Sequence, residues 1–328
     1  MKFGLLLPHF GRECTHDRIF KQISYIEEAG FNSVWVRDHL MFQPHEFEGK
    51  QDSIFLEPFT TLAGLAALTK KIQLGTATVV TYRHPLVTSQ LFGTLSYIAN
   101  GRVIAGIGAG TPRSPYDAVG LPYEKRGKVV DELIEILKKT WTEKDVSYNG
   151  EIYQFKNVTL DPVPPTGTPI YYGGHTPPAL RRTAKYCDGW LPQRTPFLVL
   201  DQLIDRLRIE EENYNRSDKP VKISYFPLSN IDKNSQVAKE EISFDKLLNN
   251  LGHMIVEKGW DKFGMSEAKE ENLDGVYIAG SPNEVIDQIQ PFIDRGIDEI
   301  VFDLRNTFNL WEEKVELLST YVLPAFTN

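Results

Sequence analysis

The chain has 328 residues, of which 41% are hydrophobic and 24% charged, a composition typical of a soluble protein with one large or two smaller α/β domains. Its formal net charge of −8, without a cluster of Lys or Arg, argues against a nucleic-acid-binding surface. No stretch has the length needed to cross a membrane. The two cysteines, Cys14 and Cys187, lack the spacing of a metal or redox motif. We therefore expect a cytoplasmic protein that binds neither nucleic acid nor membrane.

Short apolar segments bounded by Gly or Pro alternate with amphipathic helical patterns, as in βα units. The first segment, residues 3–7, is cut off by Pro8; it is too short for a signal-peptide core and is typical of a buried strand. The eight predicted strands lie near residues 3–7, 33–37, 72–79, 103–107, 170–172, 189–191, 222–228 and 299–303. Eight strands in this alternation predict an α/β fold, the closed (β/α)8 TIM barrel.

The helical patterns between these strands end on Gly, Asn or a basic pair, as helices commonly do. The predicted helices include 17–29, 58–69, 87–99, 125–141, 178–186, 197–213 and 282–294.

Two insertions interrupt the alternation. Asn149-Gly150, between alternating residues, predicts a hairpin over 146–155. We predict a single domain over residues 1–328 that carries the second insertion, about 229–274.

The long insertion is charged and partly helical, with a helical pattern over 244–256. In a barrel, we expect such a segment to lie over the C-terminal ends of the strands as a lid or as a wall of a pocket. The alternative is an excursion on the surface without a function.

Candidate catalytic residues follow the strands, because barrel active sites lie at the C-terminal ends. His39 follows Asp38 at the end of the second strand, where a histidine beside a carboxylate suits acid–base chemistry. The alternative is a partly buried histidine bonded to Asp38 or to the backbone. His9 and His84 are weaker candidates, since packing beside a proline loop also explains each of them. The histidines, His45-Glu46 included, form no HExxH pattern or ligand cluster, and we predict no metal.

A candidate anion site lies at residues 173–176, where a short apolar strand stops at two glycines. Thr176 is at the N-cap position of a helix that begins with prolines. Gly173 and Gly174 allow the backbone to approach a ligand, and the N–H groups and dipole of the helix favour an anion. A tight strand-to-helix turn without a ligand is the alternative.

The glycines that follow the fourth strand, at 106, 108 and 110, invite comparison with a dinucleotide-binding motif. Their spacing is GxGxG rather than GxGxxG, and Pro112, Pro115 and Pro122 are predicted to prevent a helix from starting directly after them. Without that helix the usual pyrophosphate cradle is missing. Gly108, Ala109 and Gly110 are instead predicted to let a flat ring or a phosphate approach the backbone.

In their order along nearly the whole chain, these segments resemble the bacterial-luciferase-like flavin oxidoreductases. That superfamily contains luciferase, alkanesulfonate monooxygenase and the reductases and dehydrogenases that depend on coenzyme F420 (F-420, a deazaflavin). The segments that carry the resemblance are residues 4–8, 28–39, 75–78, 83–85, 101–110, 173–181, 188–190 and 280–282.

The resemblance implies a TIM barrel with an insertion after strand 7 and a flavin-type cofactor, coenzyme F420 or FMN, at its C-terminal mouth. In such proteins a non-proline cis peptide backs the ring, which places it at Ala77-Thr78. The loop of Gly174, His175 and Thr176 would bind the cofactor phosphate, and His39 would lie beside the reactive carbon of the ring. The resemblance also implies a homodimer.

One departure concerns Thr111, because several F420-dependent dehydrogenases carry a glutamate at this point. An alcohol or sugar-phosphate dehydrogenase that uses this acid is therefore disfavoured. We predict hydride transfer from reduced F420 to a small organic substrate. The basic residues Arg181, Arg182 and Lys185 either meet the acidic tail of F420 or form the solvated face of their helix.

Three alternatives remain open at this stage. One is a monooxygenase that uses reduced FMN and O2, with the insertion excluding water. Another is a flavin-binding protein without catalytic activity. The last is a barrel enzyme that places the phosphate of a metabolite at Gly174.

Overall fold

The structure is a computed structural model that describes residues 1–41, 54–165 and 167–326. Eight parallel strands form a barrel, which the pairing of β3 with β5 closes. In chain order the strands are β1 (Lys2–Leu6), β2 (Ser33–Val36), β3 (Gln73–Thr76), β4 (Val79–Val80), β5 (Val103–Gly108), β6 (Val146–Asn149), β7 (Gln154–Val158), β8 (Ile170–Gly173), β9 (Gly189–Trp190), β10 (Lys222–Tyr225), β11 (Leu228–Ile231), β12 (Tyr277–Gly280) and β13 (Glu299–Phe302). Around the barrel the order is β1, β2, β3, β5, β8, β9, β10 and β13.

The helices pack around this barrel. They are α1 (Ile23–Glu28), α2 (Pro58–Leu68), α3 (Pro85–Ile98), α4 (Arg113–Ala118), α5 (Arg126–Thr142), α6 (Pro177–Tyr186), α7 (Phe197–Asn213), α8 (Ser235–Glu240), α9 (Phe244–Lys258), α10 (Pro282–Asp294) and α11 (Trp311–Leu317). Short 3-10 turns lie at Tyr123–Lys125, Trp260–Phe263, Glu270–Asn272, Arg305–Leu310 and Leu323–Phe326, and π-helical turns at Asp17–Lys21 and Leu318–Val322. No helix in the described ranges is long and apolar enough to cross a membrane.

The TIM-barrel fold and all eight predicted strands are confirmed. The seventh strand is shorter than predicted, because Pro227 has no N–H for the ladder. After it, β11 pairs with β12 as a separate two-stranded parallel sheet. The predicted helices match the observed ones within two residues, except that the first is divided: Gln22 N–H bonds to the carbonyl of Asp17 and widens one turn, so α1 begins only at Ile23.

The prediction that prolines prevent a helix after the strand-four glycines was wrong. The six-residue α4 begins at Arg113, with Pro112 at its N-cap. Pro115 lies in the first turn of this helix. The N–H groups of a first turn have no intrahelical acceptor, so a proline there removes no hydrogen bond.

The hairpin prediction is confirmed by the antiparallel pair β6 and β7. Its turn is fixed by the buried Glu132 of α5, whose carboxylate accepts hydrogen bonds from the N–H groups of Glu151, Ile152 and Tyr153. The loop is longer than a two-residue turn because this carboxylate holds three successive N–H groups.

The lower end of the barrel interior, where the strands begin, is closed by buried side chains. Trp35 occupies space left by Gly75, since a Cβ at that glycine would overlap the indole ring. The carboxylate of Glu299 accepts hydrogen bonds from Ser33 Oγ at 2.5 Å and Ser224 Oγ at 2.6 Å. The opposite end of the barrel is therefore the open one.

The insertion lies over this open end, as expected. Its helix α9 places Asn250, Met254, Glu257 and Lys258 in the wall of a cavity above the strands. The insertion is thus a wall of the candidate site and not a detached surface excursion.

Candidate functional site

Two adjoining cavities open at the C-terminal ends of the barrel strands, one of about 350 Å³ and one of about 150 Å³. The residues common to both walls include Arg37, Ala77, Thr78, Gly110 and Lys258. The larger cavity is also lined by the predicted residues Asp38 and His39, and the smaller by Gly108, Gly173, Gly174 and His175. The structure therefore brings together most of the residues predicted from the sequence.

Two of the predicted residues stand apart from the cavity walls. Thr176 is the exposed N-cap of α6, and its side chain makes no capping hydrogen bond. The carbonyl of Ala109 accepts a hydrogen bond from the Tyr116 hydroxyl. A part for these two residues in cofactor binding remains a prediction, and it would involve their backbone atoms rather than their side chains.

The peptide bond between Ala77 and Thr78 is cis, as the family resemblance predicts. Two glycines make room for the side chain of Thr78. A Cβ at Gly173 would lie 2.9 Å from Thr78 Cγ2, and one at Gly108 would overlap Thr78 Oγ1. The glycines after β5 and β8 thus allow Thr78 to stand in the mouth of the barrel.

His39 lies in the wall of the larger cavity with its ring held on two sides. The ring stacks on Phe55, with centroids 4.6 Å apart and an interplanar angle of 20°. Its Nε2 lies 3.0 Å from Nη2 of Arg37. A guanidinium only donates hydrogen bonds, so Nε2 is the acceptor and Nδ1 carries the proton of the neutral ring. The orientation of the His39 ring at the cavity wall is therefore fixed, and its catalytic role remains a prediction.

The neighbouring Asp38 is almost fully buried and bonds elsewhere. Its carboxylate accepts from the N–H of Val80 at 3.0 Å and from the guanidinium of Arg83 at 2.6 and 3.1 Å. These bonds tie the loop after β2 to β4. The geometry favours a positioning role for Asp38, and its predicted catalytic role remains a prediction.

The two weaker histidine candidates have structural contacts. His9 is fully buried; its Nδ1 lies 2.9 Å from the carbonyl of Leu7, and its Nε2 accepts from the N–H of Arg37 at 2.8 Å. His84 caps α3 by accepting the N–H of Leu86, and partial burial lowers its pKa. Both fit the packing interpretation. His45 and Glu46 lie outside the described residues.

The loop of Gly174, His175 and Thr176 presents donors beside the smaller cavity. Within the described parts of the chain, the N–H groups of these residues donate no hydrogen bond. Pro177 and Pro178 have no N–H, so the first turn of α6 offers fewer donors than the sequence analysis assumed. The predicted anion site therefore depends on the loop more than on the helix, and it remains a prediction.

His175 is neutral in this loop. Burial, together with the charges of Lys258 and Arg194, lowers its pKa from 6.5 to about 3. Its Nε2 accepts the N–H of Gln193 at 3.3 Å, which leaves Nδ1–H as a donor. The ring lies between the indoles of Trp190 and Trp260, with centroids 6.3 and 6.2 Å away.

Among the described residues, four cationic side chains line the cavities: Arg37, Arg194, Lys258 and Arg305. None of them was predicted from the sequence to have a role. Arg194 follows β9, and Arg305 follows β13 and pairs with Asp303 at 2.6 Å. His39 was predicted because it follows a barrel strand. Arg194 and Arg305 also follow barrel strands, so the same signal marks both of them in the sequence. Lys258 ends α9 of the insertion and gave no such signal.

The predicted basic surface of α6 is only partly present. Arg182 is buried, and its guanidinium bonds to Asp131 at 2.5 and 3.1 Å and to the Tyr172 hydroxyl at 3.2 Å. It cannot meet a cofactor tail, and that part of the prediction was wrong. Arg181 and Lys185 are exposed.

In the part of the chain that the structure describes, no group of three or more His, Cys, Asp or Glu side chains is placed to hold a metal ion. The polar groups at the mouth are instead N–H donors, cations and one oriented histidine. Such a set suits a ligand that carries an anionic group and needs a proton exchanged nearby.

Residues 1–299 match the luciferase-like monooxygenase family, and the chain belongs to this family. A similar relative is the F420-dependent glucose-6-phosphate dehydrogenase of Amycolatopsis mediterranei, 26% identical over 294 residues that cover 84% of this chain and 85% of the relative.

Two solved structures share the fold. An F420-dependent secondary alcohol dehydrogenase in complex with an F420–acetone adduct has a TM-score of 0.80 at 18% identity, covering 100% of this chain and 99% of that one. The oxygenating constituent of 3,6-diketocamphane monooxygenase from Pseudomonas putida, in complex with FMN, has a TM-score of 0.75 at 18% identity with the same coverage.

Proposed function

We propose that this protein is an oxidoreductase that binds coenzyme F420 or FMN at the mouth of its barrel. With F420, the reduced cofactor would pass a hydride to a small organic substrate. The observation that carries the proposal is the convergence of Gly174, His175 and four cationic side chains on the two adjoining cavities beside Thr78. The similarity to F420-dependent glucose-6-phosphate dehydrogenases supports the same cofactor.

The residues at the mouth fit a cofactor with a flat ring and a phosphate. Gly173 and Gly108 leave no side chain between the strand ends and Thr78, so a ring can approach the backbone there. Gly174 is constrained in the same way, because a Cβ would lie 2.8 Å from Ala179 Cβ and 2.9 Å from Tyr172 Cε1. The phosphate would be held by the N–H groups of the 174–176 loop and Nδ1–H of His175.

When bound, reduced F420 supplies a hydride, and the protein must manage the accompanying proton. His39 is the group of this chain suited to that task. Arg37 fixes its Nε2 as an acceptor and Phe55 fixes the ring plane, so Nδ1–H would donate a hydrogen bond to the substrate. Full transfer of a proton from His39 would require the imidazolium form, because a neutral imidazole N–H is too weak an acid near neutral pH. Asp38 keeps the loop in place through Val80 and Arg83.

The absence of a carboxylate at Thr111 bears on the direction of the reaction. Thr111 lines both cavities, and its carbonyl accepts a hydrogen bond from Tyr123. Its hydroxyl is not a general acid near neutral pH. We therefore favour reduction of an organic acceptor over a dehydrogenase that depends on a glutamate there. A homodimer belongs to this proposal through the family resemblance, and a cytoplasmic location through the two cysteines that lack a metal or redox spacing.

The direct test is a fluorescence titration of the purified protein with F420, FMN and riboflavin at low and high salt. We expect F420 to bind more tightly than FMN, and FMN more tightly than riboflavin by about 10-fold, because riboflavin lacks the phosphate. The advantage of F420 over FMN should shrink as salt rises, since contacts to its acidic tail are electrostatic.

Other results would contradict parts of the proposal. Equal affinities for FMN and riboflavin would show that the protein does not bind the phosphate group and would contradict the proposed phosphate site. Tighter binding of FMN at both salt concentrations, with O2 consumption on addition of reduced FMN, would identify a monooxygenase. Binding without turnover of any acceptor would favour a flavin-binding protein.

A further inference from the structure

Tyr82 places a hydroxyl group beside the residues that line the larger cavity. The residue lies two positions after β4 and shares the cavity wall with Thr78, His39 and Gly110. A Cβ at Gly110 would lie 3.3 Å from Tyr82 Oη. The hydroxyl therefore lies directly over the glycine loop that follows β5.

The ring of Tyr82 is held in place by a second tyrosine. It packs edge-on against Tyr116, with centroids 5.4 Å apart and an interplanar angle of 77°. Tyr116 is itself fixed, because its hydroxyl bonds to Thr81 Oγ1 at 2.6 Å and to the carbonyl of Ala109. The position of the Tyr82 hydroxyl is therefore set by packing and not by a hydrogen bond of its own.

The hydroxyl of Tyr82 donates no hydrogen bond to any residue that the structure describes. Two fully buried tyrosines differ: Tyr225 donates to the carbonyls of Thr195 and Gly275, and Tyr116 has the two partners given above. Tyr82 is half-buried in the cavity wall, so its hydroxyl is available to water or to a ligand. A ligand in the cavity would supply the missing acceptor.

The environment also keeps this hydroxyl protonated. Burial raises the pKa of Tyr82 well above its ordinary value of 10, and the nearby Tyr116 and Asp38 raise it further while Arg83 opposes them. The group is consequently a neutral donor throughout the physiological pH range. A neutral donor recognises an uncharged acceptor such as a carbonyl oxygen without the cost of desolvating a charge.

We propose that the Tyr82 hydroxyl binds the carbonyl oxygen of the substrate, and that the substrate class is therefore an uncharged carbonyl compound. This inference rests on the proposed function for the identity of the ligand as a substrate. Tyr82 orients the carbonyl beside His39 and Thr78, which line the same cavity. The donor also distinguishes a carbonyl from a hydrocarbon of the same shape.

The test uses two probes that differ only in this acceptor. Acetophenone has a carbonyl oxygen where α-methylstyrene has a methylene group, and the two have nearly the same shape. Dissociation constants are measured by ligand-observed NMR with the full-length protein, both without cofactor and saturated with F420. We expect the wild type to prefer acetophenone by about 5-fold, the effect of one neutral hydrogen bond.

The variant Tyr82→Phe should bind both probes equally, while Tyr116→Phe, which removes a neighbouring buried hydroxyl, should keep the preference. Loss of the preference in both variants would assign it to loop geometry and overturn the proposal. So would a preference retained in Tyr82→Phe, or no preference in the wild type.

Failure of the cofactor assignment would be seen separately. It would appear as an absence of F420 and FMN binding by the wild type, whereas the carbonyl preference is measured without cofactor as well. Tyr82→Phe should bind F420 within about 2-fold of the wild type, because its ring and the phosphate loop are unchanged.

Discussion

The two ends of the barrel both contain polar groups, and they differ in how those groups are bonded. At the lower end, the Glu299 carboxylate is bonded to two serine hydroxyls, Ser33 and Ser224. At the mouth, the N–H groups of the 174–176 loop and the hydroxyl of Tyr82 make no such bonds within the described chain. The candidate site is therefore distinguished by several polar groups that lie beside a cavity and have no protein partner among the described residues.

The loops at the lower end repeat this pattern. Glu27 accepts hydrogen bonds from the N–H groups of Lys70, Lys71 and Ile72. Arg102 donates to the carbonyls of Ala66, Thr69 and Ile72 among others. These two charged side chains are engaged in hydrogen bonds to the backbone, so they stabilise the fold rather than offer a binding site for a ligand.

Replacing His39, the residue proposed to exchange the proton, should have the largest effect on turnover. His39→Ala is expected to lower turnover with F420 by about 10²-fold while leaving cofactor affinity within a few-fold, because a general acid acts on the barrier and not on binding. Steady-state kinetics and fluorescence titration measure the two quantities. The control is His84→Ala, which removes a strand-end histidine that caps α3. Equal loss of cofactor binding and turnover in His39→Ala would contradict the assigned role.

Acid should destabilise the mouth through His175. Its folded pKa of about 3 lies below its ordinary value of 6.5, so the unfolded chain takes up the proton first as pH falls. The stability contributed by this group is present above pH 6.5 and is lost as pH falls towards 3. Relative to His175→Gln, the wild type should lose about 2 kcal/mol of unfolding free energy between pH 6.5 and pH 5. Urea titrations that give parallel pH profiles for both proteins would disprove this.

A single methyl group at the phosphate loop tests the close approach of the backbone. Gly174→Ala would place a Cβ 2.8 Å from Ala179 Cβ, so the loop must shift. We expect the affinity for FMN to fall by about 10-fold, with little change for riboflavin. Gly252→Ala, where the nearest atom is 3.9 Å away, is the matched control. A 10-fold loss for riboflavin as well would mean that the loop does not hold the phosphate.

The smallest effect is expected at the lower end of the barrel, from Glu299. Its contribution to stability falls as pH rises, whereas that of His175 falls as pH drops. Burial raises the pKa of Glu299 above its ordinary value of 4.5. The stability this carboxyl contributes is therefore fully present below pH 4.5 and is lost as pH rises through the raised pKa. Glu299→Gln should remove this dependence, so the variant gains stability relative to the wild type as pH rises. Thermal melts across this range that show the reverse trend would refute the interpretation.

The barrel could be predicted because each of its strands is a short apolar run bounded by Gly or Pro. The segments near Gly174 and His39 could be predicted because they follow such runs directly. Lys258 could not, since its place in the cavity depends on how α9 packs over the strands. Arg182 was wrongly grouped with Arg181 and Lys185. The helical period puts residues 181 and 185 on one face and residue 182 on another, where it pairs with Asp131.

The end of α9 has a consequence for redesign of this protein. Asn250, Met254 and Lys258 are spaced one helical turn apart; the first two line only the larger cavity, while Lys258 lines both. Gly259 then adopts φ +67°, and Trp260 packs against His175 of the phosphate loop. The helix α9 thus runs along the larger cavity and reaches the smaller cavity, the proposed cofactor phosphate site, only at its end. Substitutions confined to positions 250 and 254 are therefore expected to change the substrate range of the enzyme without changing its affinity for the cofactor.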